Sequence, residues 1–247
     1  MSTHLQRRTT EEGRVYTDME DIFLPSVTTI LDQKPESQGL KYWKQKYDGS
    51  GNKKHWRDIL SYKANRGTLA HYELLNEFAE DDMYSTNEQN SENELKNNNK
   101  YNRYKEEVEY VENAWNEIKS TRGIRDETVL DVECFVTNSG IGYAGQFDLL
   151  YIDTNGDLVL SDLKTSKRVY DKHKMQLVAY DNAISLDIDT LEVIKIHPDS
   201  ESYAISHSHD WVQNRNEIFG EFAQLRGQMS NVEQEFKQIA NDGIDDE

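Results

Sequence analysis

The residues best suited to chemistry are two aspartates and a lysine in adjacent strand-like segments: Asp148, Asp162 and Lys164. Segments 145–152 and 157–163 have the apolar content and the alternation that are typical of β-strands. Between them, residues 153–157 read Asp-Thr-Asn-Gly-Asp. This loop predicts a hairpin with three loop residues and with Gly156 in the left-handed region.

The length of the loop determines which residues face each other. If Asp153 and Asp157 close the loop, Asp148 lies opposite Asp162, and Lys164 shares their face because side chains alternate along a strand. The rest of that face is apolar and is predicted to be core: Leu150, Ile152, Leu158 and Leu160. Opposed carboxylates destabilise a strand pair, and aspartate is disfavoured inside strands. The pattern therefore favours a cation site over an exposed hairpin with solvated acids.

Carboxylate oxygens are ligands that suit Mg²⁺ or Mn²⁺. A lysine two residues after Asp162 can orient a water molecule or neutralise negative charge that develops on a phosphate. The hairpin alone thus predicts a metal site that acts on a phosphate.

Three elements in order resemble the PD-(D/E)XK nuclease superfamily: Gly-Gln-Phe-Asp148, Asp162-Leu-Lys164-Thr-Ser and Gln176-x-x-x-Tyr180. The last element resembles the RecB-type branch. Gln176 and Tyr180 are one helical turn apart and face the same way, and the resemblance implies that they lie beside the substrate strand. It also implies a restriction-endonuclease-like fold.

The resemblance further implies individual roles at the hairpin. Asp148 and Asp162 bind the metal ion, Lys164 serves the attacking water, and the main-chain carbonyl of Leu163 completes the metal shell. Thr165, which follows Lys164 in the motif, is a secondary candidate.

An upstream segment, Arg66-Gly-Thr-Leu-Ala-His71, resembles the first motif of the same branch, whose histidine contributes to the metal site. A lone histidine on a helix is more often structural, so this role depends on the resemblance. Thr68 is predicted to cap the helix that carries His71, and Arg66 and Thr68 are secondary candidates. A histidine added to two carboxylates makes a mixed ligand set that Mn²⁺ tolerates better than Mg²⁺.

Glu133 lies in a predicted strand, 128–137. In relatives, a glutamate ahead of the Gly-x-x-Asp strand can support the metal site, so Glu133 is a secondary candidate. The alternative is a carboxylate on the surface of the strand.

The N-terminal part offers candidates for substrate binding. Ser26 follows Pro25 and predicts the N-cap of a short helix. The string Pro-Ser-Val-Thr-Thr-Ile-Leu around it resembles a motif of phage nucleases and of the mitochondrial genome maintenance exonuclease. Segment 40–47 interleaves aromatic residues with cations, which suits single strands, although Trp43 could equally be core. The substrate-binding candidates are Ser26, Trp43, Lys44 and Lys167.

Composition limits the function. The 247 residues carry a net charge of −18, which argues against a nonspecific nucleic-acid coat. Lysine and arginine concentrate in 41–66 and 164–174, next to the predicted site. This distribution is what an acidic exterior with a basic channel would give, and ordinary solvated helix faces are the equal alternative. The only cysteine, Cys134, excludes an intramolecular disulfide and a four-cysteine iron–sulfur cluster. It indicates a reducing compartment, and we expect the cytoplasm, of the host cell if the protein is viral.

We expect one domain over 1–247 with an α+β fold, in which helices flank both faces of a mixed sheet. Its predicted parts are a helical region at 21–80, a polar loop or insertion at 81–100, a catalytic core at 101–206, and a C-terminal helix and acidic tail at 207–247. Residues 1–20 are expected to be loosely ordered. No apolar run reaches the roughly 20 residues that a membrane span needs.

The sequence thus predicts a metal-dependent DNA exonuclease acting on single-stranded ends in viral DNA replication, recombination or repair. Single-stranded DNA, and replication or recombination proteins, are the expected partners. The alternatives are an inactive binding module on the same fold and a structure-selective endonuclease.

Overall fold

The structure is a computed structural model that describes residues 6–10, 13–17, 23–51, 54–97, 103–207 and 209–229. In chain order its elements are β1 (Gln6–Thr10), β2 (Gly13–Thr17), β3 (Phe23–Pro25), α1 (Val27–Leu31), α2 (Gln38–Lys46), α3 (Trp56–Leu75), α4 (Thr86–Asn97), α5 (Tyr104–Arg122), β4 (Val129–Asn138), β5 (Tyr143–Ile152), β6 (Leu158–Lys164), α6 (Asp171–Ala183), β7 (Thr190–His197), β8 (Ser202–His207), α7 (His209–Gln213) and α8 (Arg215–Gln228).

The fold is α+β and is centred on a five-stranded mixed sheet in the order β4-β5-β6-β7-β8. Neighbouring strands are antiparallel except β6 and β7, which are parallel. A parallel pair requires a crossover connection, and α6 provides it. The chain therefore runs from the end of β6 directly into α6, which brings the predicted lysine and the Gln-x-x-x-Tyr helix close together.

Helices cover both faces of this sheet, as predicted. The first core packs α1, α6 and α8 against one face; its members include Val27, Ile30, Phe147, Leu150, Leu160, Val178, Val193 and Phe222. The second core packs α3 and α5 against the other face; its members include Ala70, Leu74, Val111, Trp115, Leu149, Tyr151, Val159, Leu163 and Ile194. The residues of α5 that belong to this core lie three or four positions apart and so share one side of the helix: Val111, Ala114, Trp115 and Ile118.

The predicted β5–β6 hairpin is also confirmed. Gly156 has φ +88°, as a left-handed loop position requires. The paired residues of the two strands run from Ile152↔Leu158 to Leu149↔Ser161, and the same register places Asp148 opposite Asp162. One prediction on this face was wrong, because Ile152 is 37 % exposed. It pairs next to the loop, at the end of the strand.

Residues 81–100 are not simply a loop, since Thr86–Asn97 forms α4. Leu95 and Ser91 are its buried residues, and Glu92 and Lys96 form an ion pair 2.7 Å long on its exposed side. A short helix with one buried apolar residue, Leu95, shows almost no periodicity of apolar residues in its sequence. For this reason composition alone indicated a loop.

Two N-terminal predictions also fail. Within 1–20, β1 and β2 belong to a three-stranded sheet with β3, and Val15 and Tyr16 are buried. Helix α3 runs through Gly67 without a break, so Thr68 does not cap a helix. Its hydroxyl instead donates to the carbonyl of Ala64 at 3.2 Å.

The C-terminal helix predicted within 207–247 is divided into α7 and α8. The predicted part after residue 229, including the acidic tail, lies outside the described residues. Among the helices that the structure describes, none combines the length and the apolar character needed to cross a membrane.

Candidate active site

Three adjacent strands of the sheet place three carboxylates in one row. In β4, the pairs Val132↔Leu149 and Cys134↔Phe147 flank Glu133, which therefore lies opposite Asp148. Asp148 in turn lies opposite Asp162 in the register of the hairpin. Glu133 was only a secondary candidate, and its place in this row makes it a primary one.

The backbone of β4 is irregular at Glu133, which has φ +47°. The normal alternation of faces breaks there, because Val132 packs with the second core and Cys134 with the first. The side-chain amide of Gln146 donates to the carbonyl of Glu133 at 2.8 Å, which supports the irregular conformation. A left-handed residue other than glycine costs roughly 1–2 kcal/mol, and such residues concentrate at functional sites.

The same break occurs in β5 at Asp148, because Phe147 packs in the first core and Leu149 in the second. Asp148 is 7 % exposed, and its Oδ2 accepts a hydrogen bond from the backbone N–H of Leu163 at 2.6 Å. This contact orients the carboxylate so that its other oxygen, Oδ1, lies on the side of His71.

Helix α3 adds a nitrogen ligand to this row. Nδ1 of His71 lies 3.5 Å from Oε1 of Glu133 and 3.8 Å from Oδ1 of Asp148. Its Nε2 lies 3.0 Å from the carbonyl oxygen of Leu163, which can only accept, so Nε2 is the donor. A neutral ring held in this way presents the lone pair of Nδ1 to the carboxylates. One ligand atom from each of His71, Glu133 and Asp148 lies within 4.8 Å of the others.

Charges at this cluster depend on one another. Burial alone would lower the pKa of His71, but the carboxylates of Asp148 and Glu133 outweigh it and raise the pKa to about 9. Burial raises the pKa of Asp148, and the positive charges of His71 and Lys164 oppose that rise. Without a metal ion, the imidazolium is therefore the cation that the carboxylates face.

Asp162 is fully buried. Its Oδ2 lies 2.6 Å from Nζ of Lys164, whereas Oδ1 has no hydrogen-bond partner in the part of the chain that the structure describes. Burial has the largest effect on the pKa of Asp162 and raises it. The charge of Lys164 opposes this rise and the charge of Asp148 adds to it, so that the pKa is about 6. Burial would lower the pKa of Lys164, but Asp162 and Asp148 raise it overall. A buried carboxylate oxygen without a partner calls for an explanation, and a bound cation is one.

Helix α6 lies beside these residues. Gln176 is 8 % exposed and Tyr180 is 3 % exposed, and the Gln176 amide donates to the Tyr180 hydroxyl at 2.9 Å. Burial, and then the charge of Asp162, raise the pKa of Tyr180 well above its ordinary value. The two residues of the Gln-x-x-x-Tyr element are thus one hydrogen-bonded unit next to the carboxylates.

The packing around Gly145 explains why the Gly-Gln-Phe-Asp motif begins with glycine. A Cβ atom at this position would lie 2.4 Å from Cε1 of Tyr180, so the ring packs directly on the backbone of β5. We predict that Gly145→Ala displaces the Tyr180 ring and destabilises the protein by about 1–3 kcal/mol, as urea unfolding would measure. Gly220→Ala is the matched control, since nothing lies within 4 Å of its Cβ position. Equal stability of the two variants would contradict the packing role.

The cluster opens into a cleft of about 1930 Å³. Its lining cations are Arg14, Lys164 and Lys172; its lining carboxylates include Glu77, Glu80, Asp81, Glu88, Glu94, Asp126, Asp131, Glu133 and Asp148. Of the lysines and arginines in 41–66 that the structure describes, none lines it, so these residues do not form a basic channel along this lining. Lys164 and Lys172 belong to β6 and α6 and Arg14 to β2, whereas most of the carboxylates come from α4, its preceding loop and β4.

Most other candidates lie apart from the cluster. Thr68 lines the cleft, whereas Ser26, Trp43, Lys44, Arg66, Thr165 and Lys167 do not. The hydroxyl of Ser26 accepts from Thr29 N–H at 3.0 Å and caps α1, as predicted. Trp43 packs on Tyr47 with ring centroids 5.3 Å apart.

The remaining candidates have other contacts. Nζ of Lys44 lies 4.4 Å from the centroid of the Trp56 ring. Thr165 is next to Gly67: a Cβ atom added to Gly67 would lie 3.4 Å from the hydroxyl oxygen of Thr165. Lys167 is exposed. Arg66 is fully buried, and its Nη1 lies 2.6 Å from carboxylate oxygens of Glu107 and Asp199.

His173 also lines the cleft, and sequence reasoning missed it. It precedes Gln176 by three residues and Tyr180 by seven, so the three lie on one face of α6. That spacing was visible in the sequence, although nothing else set this histidine apart.

The pKa of His71 predicts a pH dependence for the metal-free protein. A pKa raised from 6.5 to about 9 means that the imidazolium stabilises the fold below pH 6.5, and that this stabilisation disappears as the pH rises through 9. In EDTA, the melting temperature of the wild type should fall more steeply between pH 6.5 and 9 than that of His71→Asn. Parallel curves would show that His71 does not face these carboxylates.

No family model matches this sequence, and no curated protein matches it. Among solved structures, the crystal structure of SSO0001 is similar with a TM-score of 0.30 and 14 % identity, over 64 % of this chain and 82 % of that chain. A likeness at this level identifies neither a family nor an activity.

Proposed function

We propose that this protein is a metal-dependent deoxyribonuclease that hydrolyses phosphodiester bonds at single-stranded DNA ends. The observation that carries the proposal is the row Glu133–Asp148–Asp162 with His71 at its side and Lys164 at its end. Carboxylates are rarely buried together unless they are paired or bind a metal ion. Here Glu133 and Asp148 line a cleft of about 1930 Å³, and Asp162 is fully buried next to Asp148.

The donor set fits a hard divalent cation. His71, Glu133 and Asp148 have ligand atoms close enough to share one ion, and Asp162 has a buried oxygen without a partner. Three carboxylates and one imidazole suit Mn²⁺ or Mg²⁺. When bound, such an ion would polarise the phosphate and lower the pKa of a water molecule.

The side chains around this set have separate tasks in the proposed reaction. Lys164 stays protonated next to Asp162 and stabilises negative charge on the phosphate or holds the attacking water. The hydrogen bond between Gln176 and Tyr180 fixes both side chains, so the polar atoms they present to the strand do not need to be ordered when substrate binds. The Leu163 carbonyl, proposed as a ligand, also holds His71 in the orientation in which Nδ1 faces the carboxylates.

A single-stranded end is favoured by the charge of the cleft. A duplex carries phosphates on both sides, and the many carboxylates near α4 would repel the second strand. Lys164 and Lys172, which line the cleft, offer their positive charge to the phosphates of a single strand. We place the protein in the cytoplasm, of the host if it is viral, in replication, recombination or repair, with replication or recombination proteins as further partners.

The test compares end-labelled linear single-stranded DNA, a closed single-stranded circle of the same sequence and closed duplex DNA, each with Mg²⁺, Mn²⁺ or EDTA. We expect degradation of the linear strand with either metal and none in EDTA. Equal loss of the circle would exclude an end requirement, and cutting of the closed duplex would favour an endonuclease. Binding of DNA without cleavage under every condition would favour the inactive module.

A further inference from the structure

One buried polar side chain in the cleft has no task in the proposed hydrolysis. His173 lies in the first turn of α6, is 5 % exposed, and lines the cleft together with Lys164 and Lys172. The ring of Tyr170 meets the imidazole edge-on, with centroids 5.4 Å apart. The imidazole is therefore held in place on one side and faces the cleft on the other.

The hydrogen bonding of His173 defines which nitrogen carries a proton. The backbone N–H of Tyr170 donates to Nδ1 at 3.3 Å, so Nδ1 is an acceptor and the proton of the neutral ring is on Nε2. No hydrogen bond to Nε2 is made by any residue that the structure describes. Burial, and then the positive charges of Lys164 and Lys172, lower the pKa of His173 to about 3, so the ring is neutral at physiological pH.

The surroundings of Nε2–H are positive. Lys164 and Lys172 both line the cleft, and α6 has 13 residues, so its N-terminus carries a partial positive charge from the helix dipole. The one acid in the first turn, Asp171, is exposed and pairs with Lys174 at 3.0 Å. A neutral N–H donor, an ammonium group and a helix N-terminus together suit a phosphate.

We infer that His173 Nε2–H, Lys172 and the N-terminus of α6 form a phosphate subsite, which holds a phosphate of the nucleic-acid strand beside the scissile one. The subsite deepens the proposed nuclease function and rests on it. Its ligand chemistry fits either a terminal phosphate monoester or an internal phosphodiester. His173 is then a positioning residue that tightens substrate binding without exchanging a proton.

Three substitutions separate phosphate binding from helix capping. Asparagine at 173 places its amide at the position of Nδ1, so His173→Asn can keep the bond from Tyr170 N–H but has no donor in the cleft. His173→Gln reaches the position of Nε2 and keeps a donor there while losing the cap. His173→Phe keeps a ring and loses both hydrogen bonds.

The measurement is the affinity for a short labelled single-stranded oligonucleotide in EDTA, by fluorescence anisotropy, with phosphate or hydroxyl at each end in turn. Removing a hydrogen bond to a charged group should raise Kd about tenfold for His173→Asn and His173→Phe. His173→Gln should stay within about threefold of the wild type, on the same scale of hydrogen-bond energies. Arg168→Ala, an exposed cation of the preceding loop that does not line the cleft, is the matched control and should not change Kd.

A loss confined to oligonucleotides with a terminal phosphate assigns the subsite to a monoester, and a loss with every oligonucleotide assigns it to an internal diester. Wild-type affinity in His173→Asn with weaker binding in His173→Gln would overturn the subsite and leave a capping role. Binding is measured in EDTA and so does not depend on cleavage. If the variants show the predicted changes in Kd but the protein never cleaves DNA, the nuclease proposal is wrong and the phosphate subsite is still supported.

Discussion

Asp162→Asn is expected to abolish metal-dependent cleavage while leaving the protein folded. The substitution keeps the volume of the side chain but removes the charge that pairs with Lys164 and that would hold a cation. Losing a metal ligand forfeits several kcal/mol of charge stabilisation, roughly a thousandfold or more in rate. The buried carboxylate has a raised pKa, so its charge disfavours the metal-free fold, and the variant should melt no lower than the wild type in EDTA at pH 8.

The matched control for this prediction is Asp157→Asn. Asp157 lies at the other end of the same hairpin, and its side chain is exposed. Cleavage of a labelled single strand with Mn²⁺ should proceed at the wild-type rate in Asp157→Asn. An active Asp162→Asn protein would remove Asp162 from the reaction, and loss of activity in both variants would point to a general defect of the hairpin.

Arg66→Met should destabilise the protein by about 1–3 kcal/mol, because it removes the buried guanidinium that donates to both Glu107 and Asp199. Arg66 is fully buried, and its Nη1 contacts both Glu107 on α5 and Asp199 beyond β7 at 2.6 Å. It thereby connects α3, which carries His71, to two other parts of the fold. Urea unfolding measures the loss, and at a temperature where the variant is folded its metal dependence should match that of the wild type.

Lys63→Met is the control for Arg66. Lys63 also pairs with Asp199, at 2.8 Å, but its side chain is 43 % exposed, so its loss should cost less than about 1 kcal/mol. Similar losses in the two variants would contradict a buried structural role for Arg66. A changed metal response in Arg66→Met would return this residue to the candidate site.

The hairpin was predictable because its information is local. Loop length and the period-two alternation define the register from Asp148 to Asp162, and Gly156 defines the turn. The spacing of Gln176 and Tyr180 likewise specifies one face of a helix. These features depend only on neighbouring residues, so the sequence contains them directly.

Features that depend on distant contacts were not predictable. Nothing near Glu133 in the sequence shows that its φ is positive, or that this conformation directs it toward His71 on another element. The contact between Arg66 and Asp199 joins residues far apart in the chain, so Arg66 resembled a site residue. The same holds for α4, whose one buried leucine packs on a helix that precedes it.

The most direct measurement is an anomalous difference map from a crystal soaked in Mn²⁺, using protein from a batch assayed on single-stranded DNA. We expect a peak between Nδ1 of His71 and the carboxylates of Glu133 and Asp148, adjacent to Asp162, in protein that degrades DNA with Mn²⁺. An active protein with no peak there, or with its peak at other residues, would contradict the assignment of this row as the metal centre.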